Sequence, residues 1–115
     1  MHNEYQRYIY NEETLRKVPE IHLGVSTTIF EIDGETKLSV FVKAIHNDKS
    51  AETQALYGEP IEVTINDQKV TIPFGDMLLL NPEHPGTYVV VLSDPRFYSQ
   101  TNKYIVSVID KVQEV

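Results

Sequence analysis

The residues of this chain that could do chemistry are few and widely spaced. His46, Asn47 and Asp48 stand together and, joined by His84, could offer nitrogen and oxygen ligands to a metal that activates water. A zinc site needs three or four convergent ligands, and here the four histidines (His2, His22, His46, His84) form no His-x-x-x-His pair and no cysteine exists. Asn66, Asp67 and Asp94 carry the oxygens calcium prefers, but they sit in turns without EF-hand spacing, where such side chains usually bond their own backbone. Ser26, Ser39 and Ser107 fall within expected strands and outside any Gly-x-Ser-x-Gly elbow, so none reads as a nucleophile. The carboxylates of Glu31, Asp33, Glu35, Glu59 and Glu62 alternate along strands and turns as a solvated face does, rather than pairing for acid–base work. No phosphate-cradling or dinucleotide-binding glycine pattern occurs. The expectation is a chain that binds rather than catalyses, with no metal and no cofactor.

Two segments carry binding chemistry. The stretch Asp94–Asn102 holds Arg96, Phe97 and Tyr98 in succession, which combines large apolar area with directional polar groups. Exposed, it would be a recognition loop; the alternative is that Phe97 and Tyr98 fold back onto the body. The N-terminal 24 residues hold Tyr5, Tyr8 and Tyr10 among polar neighbours, anchors on a segment too polar to make a core. Such an arm either orders on a neighbouring subunit or docks on its own body.

The balance of charge narrows the partners. The chain has 115 residues, with 10 Lys+Arg against 17 Asp+Glu, a formal charge of −7. Like-charge repulsion disfavours phosphate backbones and anionic lipid, so nucleic acid and membrane surfaces are not expected. No apolar run approaches the roughly 18 residues of a membrane span. The polar Met1–Tyr8 stretch has no apolar core of a secretory leader, so synthesis and retention in the cytosol, or in a particle built there, is expected. A protein partner remains: further copies of the chain or a larger assembly.

The elements that would position these residues are mostly strands. Asn11–Lys17 reads as a short helix, with Asn11 as N-cap, acidic residues first and basic residues last, ended by Pro19. From Val25 the period becomes two. Val25–Ile32 and Thr36–Ile45 read as strands joined by a two-residue Asp33-Gly34 hairpin turn. Leu38, Val40, Val42 and Ala44 share one face; Phe41 stands alone among polar residues on the other, as a third patch or as a floor for the arm. Ala51–Tyr57 could hold a helical turn ended by Gly58. Ile61–Ile65 and Val70–Phe74 alternate about a turn at Asn66-Asp67-Gln68, with Pro73 marking an edge strand. Met77–Leu80, a central Thr87–Leu92 and a final Lys103–Val112 complete about seven strands, roughly 8–15 residues apart, the spacing of an all-β sandwich or barrel.

The segment Leu80-Asn81-Pro82-Glu83-His84-Pro85-Gly86-Thr87-Tyr88 resembles the entry to strand F in fibronectin type III and bacterial immunoglobulin-like domains, and Gly58–Ile65 looks like their strand C. The resemblance covers about residues 25–112 and lacks the Cys…Trp…Cys set of antibody domains. It implies an immunoglobulin-like antiparallel sandwich over 25–115 with an arm at 1–24. It implies a tyrosine corner in which Leu80 ends one strand, Gly86 opens the next and the Tyr88 hydroxyl bonds back to the turn. Such domains, with an N-terminal arm, serve as decoration, neck or tail proteins of phage virions, which implies a structural, oligomerising role. The same architecture also serves adhesins and carbohydrate-binding modules, which implies a monomer presenting Phe97, Tyr98 and Tyr57 to a ligand.

Overall fold

The computed structural model describes residues 8–10 and 15–111. Its regular structure is mostly strands. In chain order these are β1 (Tyr8–Tyr10), β2 (Leu15–Lys17), β3 (His22–Val25), β4 (Ile29–Ile32), β5 (Leu38–Lys43), β6 (Pro60–Ile65), β7 (Gln68–Pro73), β8 (Met77–Leu80), β9 (Gly86–Leu92) and β10 (Lys103–Asp110). A single-turn helix, α1 (Ala51–Gln54), lies between β5 and β6. The strands form a five-stranded sheet in the order β4-β10-β9-β6-β7, a three-stranded sheet β3-β5-β8, and the small pair β1-β2.

The two larger sheets share one core. Leu23, Val40 and Val42 from the three-stranded sheet meet Ile61, Val63, Ile65, Ile72 and Val90 from the five-stranded sheet. A second cluster of Phe30, Leu38, Val106 and Val108 continues this layer, and Leu80 and Tyr88 touch both clusters. The expected inward set of Leu38, Val40 and Val42 is buried. Period-two patterning with one buried face accounts for this arrangement.

The expected strand Val25–Ile32 is instead two strands in different sheets. The break lies where hydroxyls capture backbone groups that a ladder would otherwise use. Ser26 Oγ accepts from the Ser39 amide (3.0 Å), while Thr27 Oγ1 donates to the Ile29 carbonyl (2.8 Å) and accepts from its amide (3.2 Å). After this kink the chain crosses to β10 and runs parallel to it, with Ile29 against Ser107 and Ile32 against Asp110. Asp33-Gly34 is therefore no hairpin, because β4 and β5 belong to opposite sheets. The Asp33 carboxylate stabilises that crossing turn by accepting from the Glu35 and Thr36 amides and from the Thr36 hydroxyl (2.6–2.8 Å). The two-residue hairpin lies at Asn66-Asp67, whose φ of 50° and 68° are those of a type I′ turn, with Ile65 opposite Gln68. The split strand raises the body to eight strands, β3 to β10, against about seven expected.

The N-terminal expectations also change. Leu15–Lys17 is a strand, in register with Tyr8–Tyr10, not the end of a helix; Asn11–Thr14 lie outside the described residues. A seven-residue helix with two apolar anchors cannot offset its nucleation cost, whereas Tyr-Ile-Tyr favours extended pairing. The body also begins before Val25: Val18, Ile21 and Leu23 are buried in it. The helical turn does form, with Ser50 as N-cap to Thr53, and β7 with Pro73 is an edge strand as expected.

Phe41 closes over the backbone of Gly24, its register partner. A Cβ on Gly24 would lie 2.3 Å from Phe41 Cζ, so only glycine fits beneath the ring. His22 lies beside this ring at 5.8 Å between centroids, and Lys43 Nζ stands 5.0 Å above it.

The hydroxyl-to-backbone bond expected of Tyr88 is absent among the described residues. Tyr104 makes one instead. Its Oη, on β10 of the five-stranded sheet, donates to the Leu23 carbonyl on β3 of the other (3.0 Å). Tyr88 serves as an apolar wedge between the two core clusters. Tyr104→Phe is expected to cost about 1 kcal/mol in denaturant unfolding. Tyr88→Phe should stay within about 0.5 kcal/mol of the unaltered chain. The reverse order would restore the tyrosine corner.

Candidate functional site

The loop after β9 is closed by a side-chain clasp. Asp94 is buried, and a buried carboxylate requires partners. Oδ1 accepts from the Arg96 amide and Nε (both 3.0 Å), and Oδ2 accepts from the Glu62 amide (3.0 Å) and the Arg96 guanidinium (2.8 Å). The guanidinium also donates to the Pro60 carbonyl (2.8 Å) and to Glu59 (3.1 Å). The Arg96 bonds, with the Glu62 and Arg96 amides, hold the Asp94 carboxyl down at about 2; its bond to Asp94 holds Arg96 firmly protonated.

This clasp fixes the residues that follow. Phe97 is 8% exposed and belongs to the main core, with the Arg96 guanidinium 5.1 Å from its ring centre. Tyr98 bonds through its backbone to Pro19 and Ile21, and Ser99 Oγ accepts from the Leu23 amide (3.1 Å). Arg96, Phe97 and Tyr98 thus tie the entry of β3 to the end of the sheets. The Phe97 ring folds back onto the body, the second of the two expectations for this loop, while Arg96 stays exposed and Tyr98 half-buried. The Asp94-x-Arg96 spacing was the signal for this, since it lets one side chain bond the other's carboxylate from two residues away.

The remaining sequence candidates disperse. Leu80 and Tyr88 are half-buried packing residues, and Gly86 opens β9 in register with Val108. Tyr57 is half-exposed, but its ring packs on Phe74 at 4.9 Å and covers Gly75. The Asp48 carboxylate is taken up by the Ser50 amide and the Thr53 hydroxyl, which lowers its pKa. Among the described residues no three of His, Asp and Glu converge as a metal site. Tyr5 lies outside the described residues; Tyr8 and Tyr10 lie on β1, in register with Lys17 and Leu15.

The surface left with unexplained apolar area is the outer face of the five-stranded sheet. Along β10, Tyr104, Val106 and Val108 face the core, which turns Lys103, Ile105, Ser107 and Ile109 outward. On β4, Phe30 is buried and Ile29 and Glu31 face out. Ile29 is 64% exposed and Ile105 57%, with Ile109 also exposed. Half-buried Val89 and Val91 on β9 lie in register with Ile105 and Lys103 and extend the patch. One end of this face is basic, with Lys103 and, three strands away, Lys69; Glu62 stands one row beyond. The other end opens into a groove of about 470 Å³ lined by Thr27, Ile29, Phe30, Glu31, Asp33, Thr36 and Ile109. Asp33 keeps its charge there, its carboxyl held at about 2 by the Thr36 hydroxyl and the turn amides. Alternation along Lys103–Val112 puts Ile105 and Ile109 on one side of the strand, but alternation alone does not say which side meets the opposite sheet.

A second outward patch lies on the three-stranded sheet, where Met77 and Leu79 of β8 are 53% and 56% exposed and sit in register with Phe41 and Ser39.

Phe97→Ala should cost about 3 kcal/mol in unfolding, as a core truncation does, and a loss below about 1 kcal/mol would return Phe97 to the surface. Because the folded pKa of Asp94 lies below its unfolded value near 4, its contribution is complete above about pH 4 and disappears as pH falls through about 2. Asp94→Asn should therefore lower the thermal midpoint at pH 7, and the gap from the unaltered chain should close as the pH is lowered to 2. A gap independent of pH would show that the carboxylate charge is not what stabilises the clasp.

Comparison with protein-family models, with curated proteins and with solved structures returns no match to this chain.

Proposed function

We propose that this chain is a non-enzymatic interaction module, immunoglobulin-like in strand order, that works as one part of a larger protein assembly. The observation that carries this reading is the outward cluster of Ile29, Ile105 and Ile109 on adjacent strands β4 and β10. Large aliphatic side chains grouped on an otherwise polar sheet face mark a contact surface more often than they mark packing. The strand orders β3-β5-β8 and β10-β9-β6-β7, with β4 crossing from one sheet to the other, support the immunoglobulin-like assignment. A virion component is the setting suggested by the N-terminal arm and the sandwich together, although Leu15–Lys17 of the arm are a strand paired with Tyr8–Tyr10. An isolated two-stranded hairpin is marginal in water, so β1-β2 gains stability by docking.

The monomeric ligand-binding alternative loses its main anchor, because Phe97 is in the core. Among the described residues no helix is long and apolar enough to cross a membrane.

Light scattering after size exclusion separates the two readings. Across a concentration series the full chain should reach species larger than the 13.2 kDa monomer. A strict monomer at every concentration would turn the search to a small ligand and remove the self-assembling reading.

A further inference from the structure

We propose that the outer face of the five-stranded sheet is the contact between two copies of this chain, related by a two-fold axis that lies in the face and crosses the strands, an inference that rests on the reading of the chain as an interaction module and names its partner. The pattern of that face is complementary to itself in one orientation. An axis level with Val106 on β10 exchanges Lys103 with Ile109 and Ile105 with Ser107. Ile109 is in register with Glu31, and Ser107 with Ile29. Each Lys103 then arrives at the acidic groove of the other copy, and each Ile105 lands beside the other's Ile29.

The groove fits a lysine side chain. Ile29 and Ile109 offer apolar walls for the methylene stem, and Glu31 and Asp33 offer carboxylates for the ammonium. Lys103 lies about 20 Å from Ile109 along the strand, so the two ends of the face are far enough apart to act as separate charge contacts. The neighbouring charges do not cancel this polarity. Lys111, just past the end of β10, offsets part of the Asp33 charge and leaves Glu31, while Lys69 adds to the basic end and Glu62 lies a row beyond it. The other two-fold orientation, with its axis along the strands, sets Lys103 against Lys103 and acid against acid. Charge pattern thus selects antiparallel stacking, and a closed two-fold dimer follows rather than an open array. A nucleic acid or anionic lipid would meet the acidic end and a chain of net charge −7.

Sedimentation velocity on the full chain tests this with Lys103→Glu, Glu31→Lys, both together, and Ile105→Ser. All three positions are exposed, so thermal midpoints should be unchanged and folding does not confound the result. Each charge reversal alone should weaken self-association about tenfold or more. The double reversal should restore it, and so should an equimolar mixture of the two single variants, because each contact in that mixed dimer pairs opposite charges. Ile105→Ser should abolish it. If the unaltered chain associates but neither the double variant nor the mixture recovers, or if Ile105→Ser has no effect, this interface is overturned while the interaction module stands. If the unaltered chain is a monomer throughout, the interface and the self-assembling reading fall together.

Discussion

A carboxylate removed from water must be paired, and Asp94 imposes that requirement on one whole end of the molecule. Its four acceptor contacts reach the edge of β6 and the loop that follows β9, and they recruit Arg96 from two residues away. Once Arg96 is committed, Phe97 has one direction left to point, which is inward. The backbone beyond it then lies beside residues 19–23, and Ser99 receives the Leu23 amide. Tyr104, on β10, adds a bond to the Leu23 carbonyl. One buried charge thus organises the junction through which the N-terminal strand joins the sandwich. Removing one partner from such a group costs far more than the pair contributes, which is why the loop is held so fully.

What could be read in the sequence follows from which interactions are local. Alternation made Leu38–Val42 and Ile61–Ile65 strands with the correct inward residues, because a pleated backbone dictates that geometry without reference to distant chain. A helical turn within Ala51–Tyr57 and Pro73 at an edge were legible for the same reason. Asp33-Gly34 misled because its composition suits a hairpin, while its true role is set by sheet membership. That depends on Ser26 and Thr27 capturing backbone groups two and thirteen residues away. Nothing in the spacing of Val25–Ile32 marks a crossing between layers. The tyrosine corner failed likewise: a motif of residue types placed the hydroxyl at Tyr88, and the fold supplied the equivalent bond from Tyr104.

The candidate surface was half legible. Period-two alternation alone puts Ile105 and Ile109 on one side of their strand, and Glu31 and Asp33 read as solvated acids. That these belong to one face became visible only through the parallel pairing of β4 with β10, which joins residues almost eighty positions apart. Phe97, which drew attention as a binding anchor, is packed in the core. Composition reports what a side chain can do; burial decides whether it is available to do it.

The parallel pairing of β4 and β10 has a mechanical side. The chain enters β4 beside Ser107 and leaves β10 beside Ile32, so tension applied to the two ends of the body draws these strands past one another lengthwise. Their hydrogen bonds then bear load together instead of opening one after another from an end. A hairpin pulled at its open end gives way bond by bond, whereas this ladder must yield at once. The force at which single molecules rupture reads that shared load directly. A module with this geometry suits a position where it is stretched as well as packed.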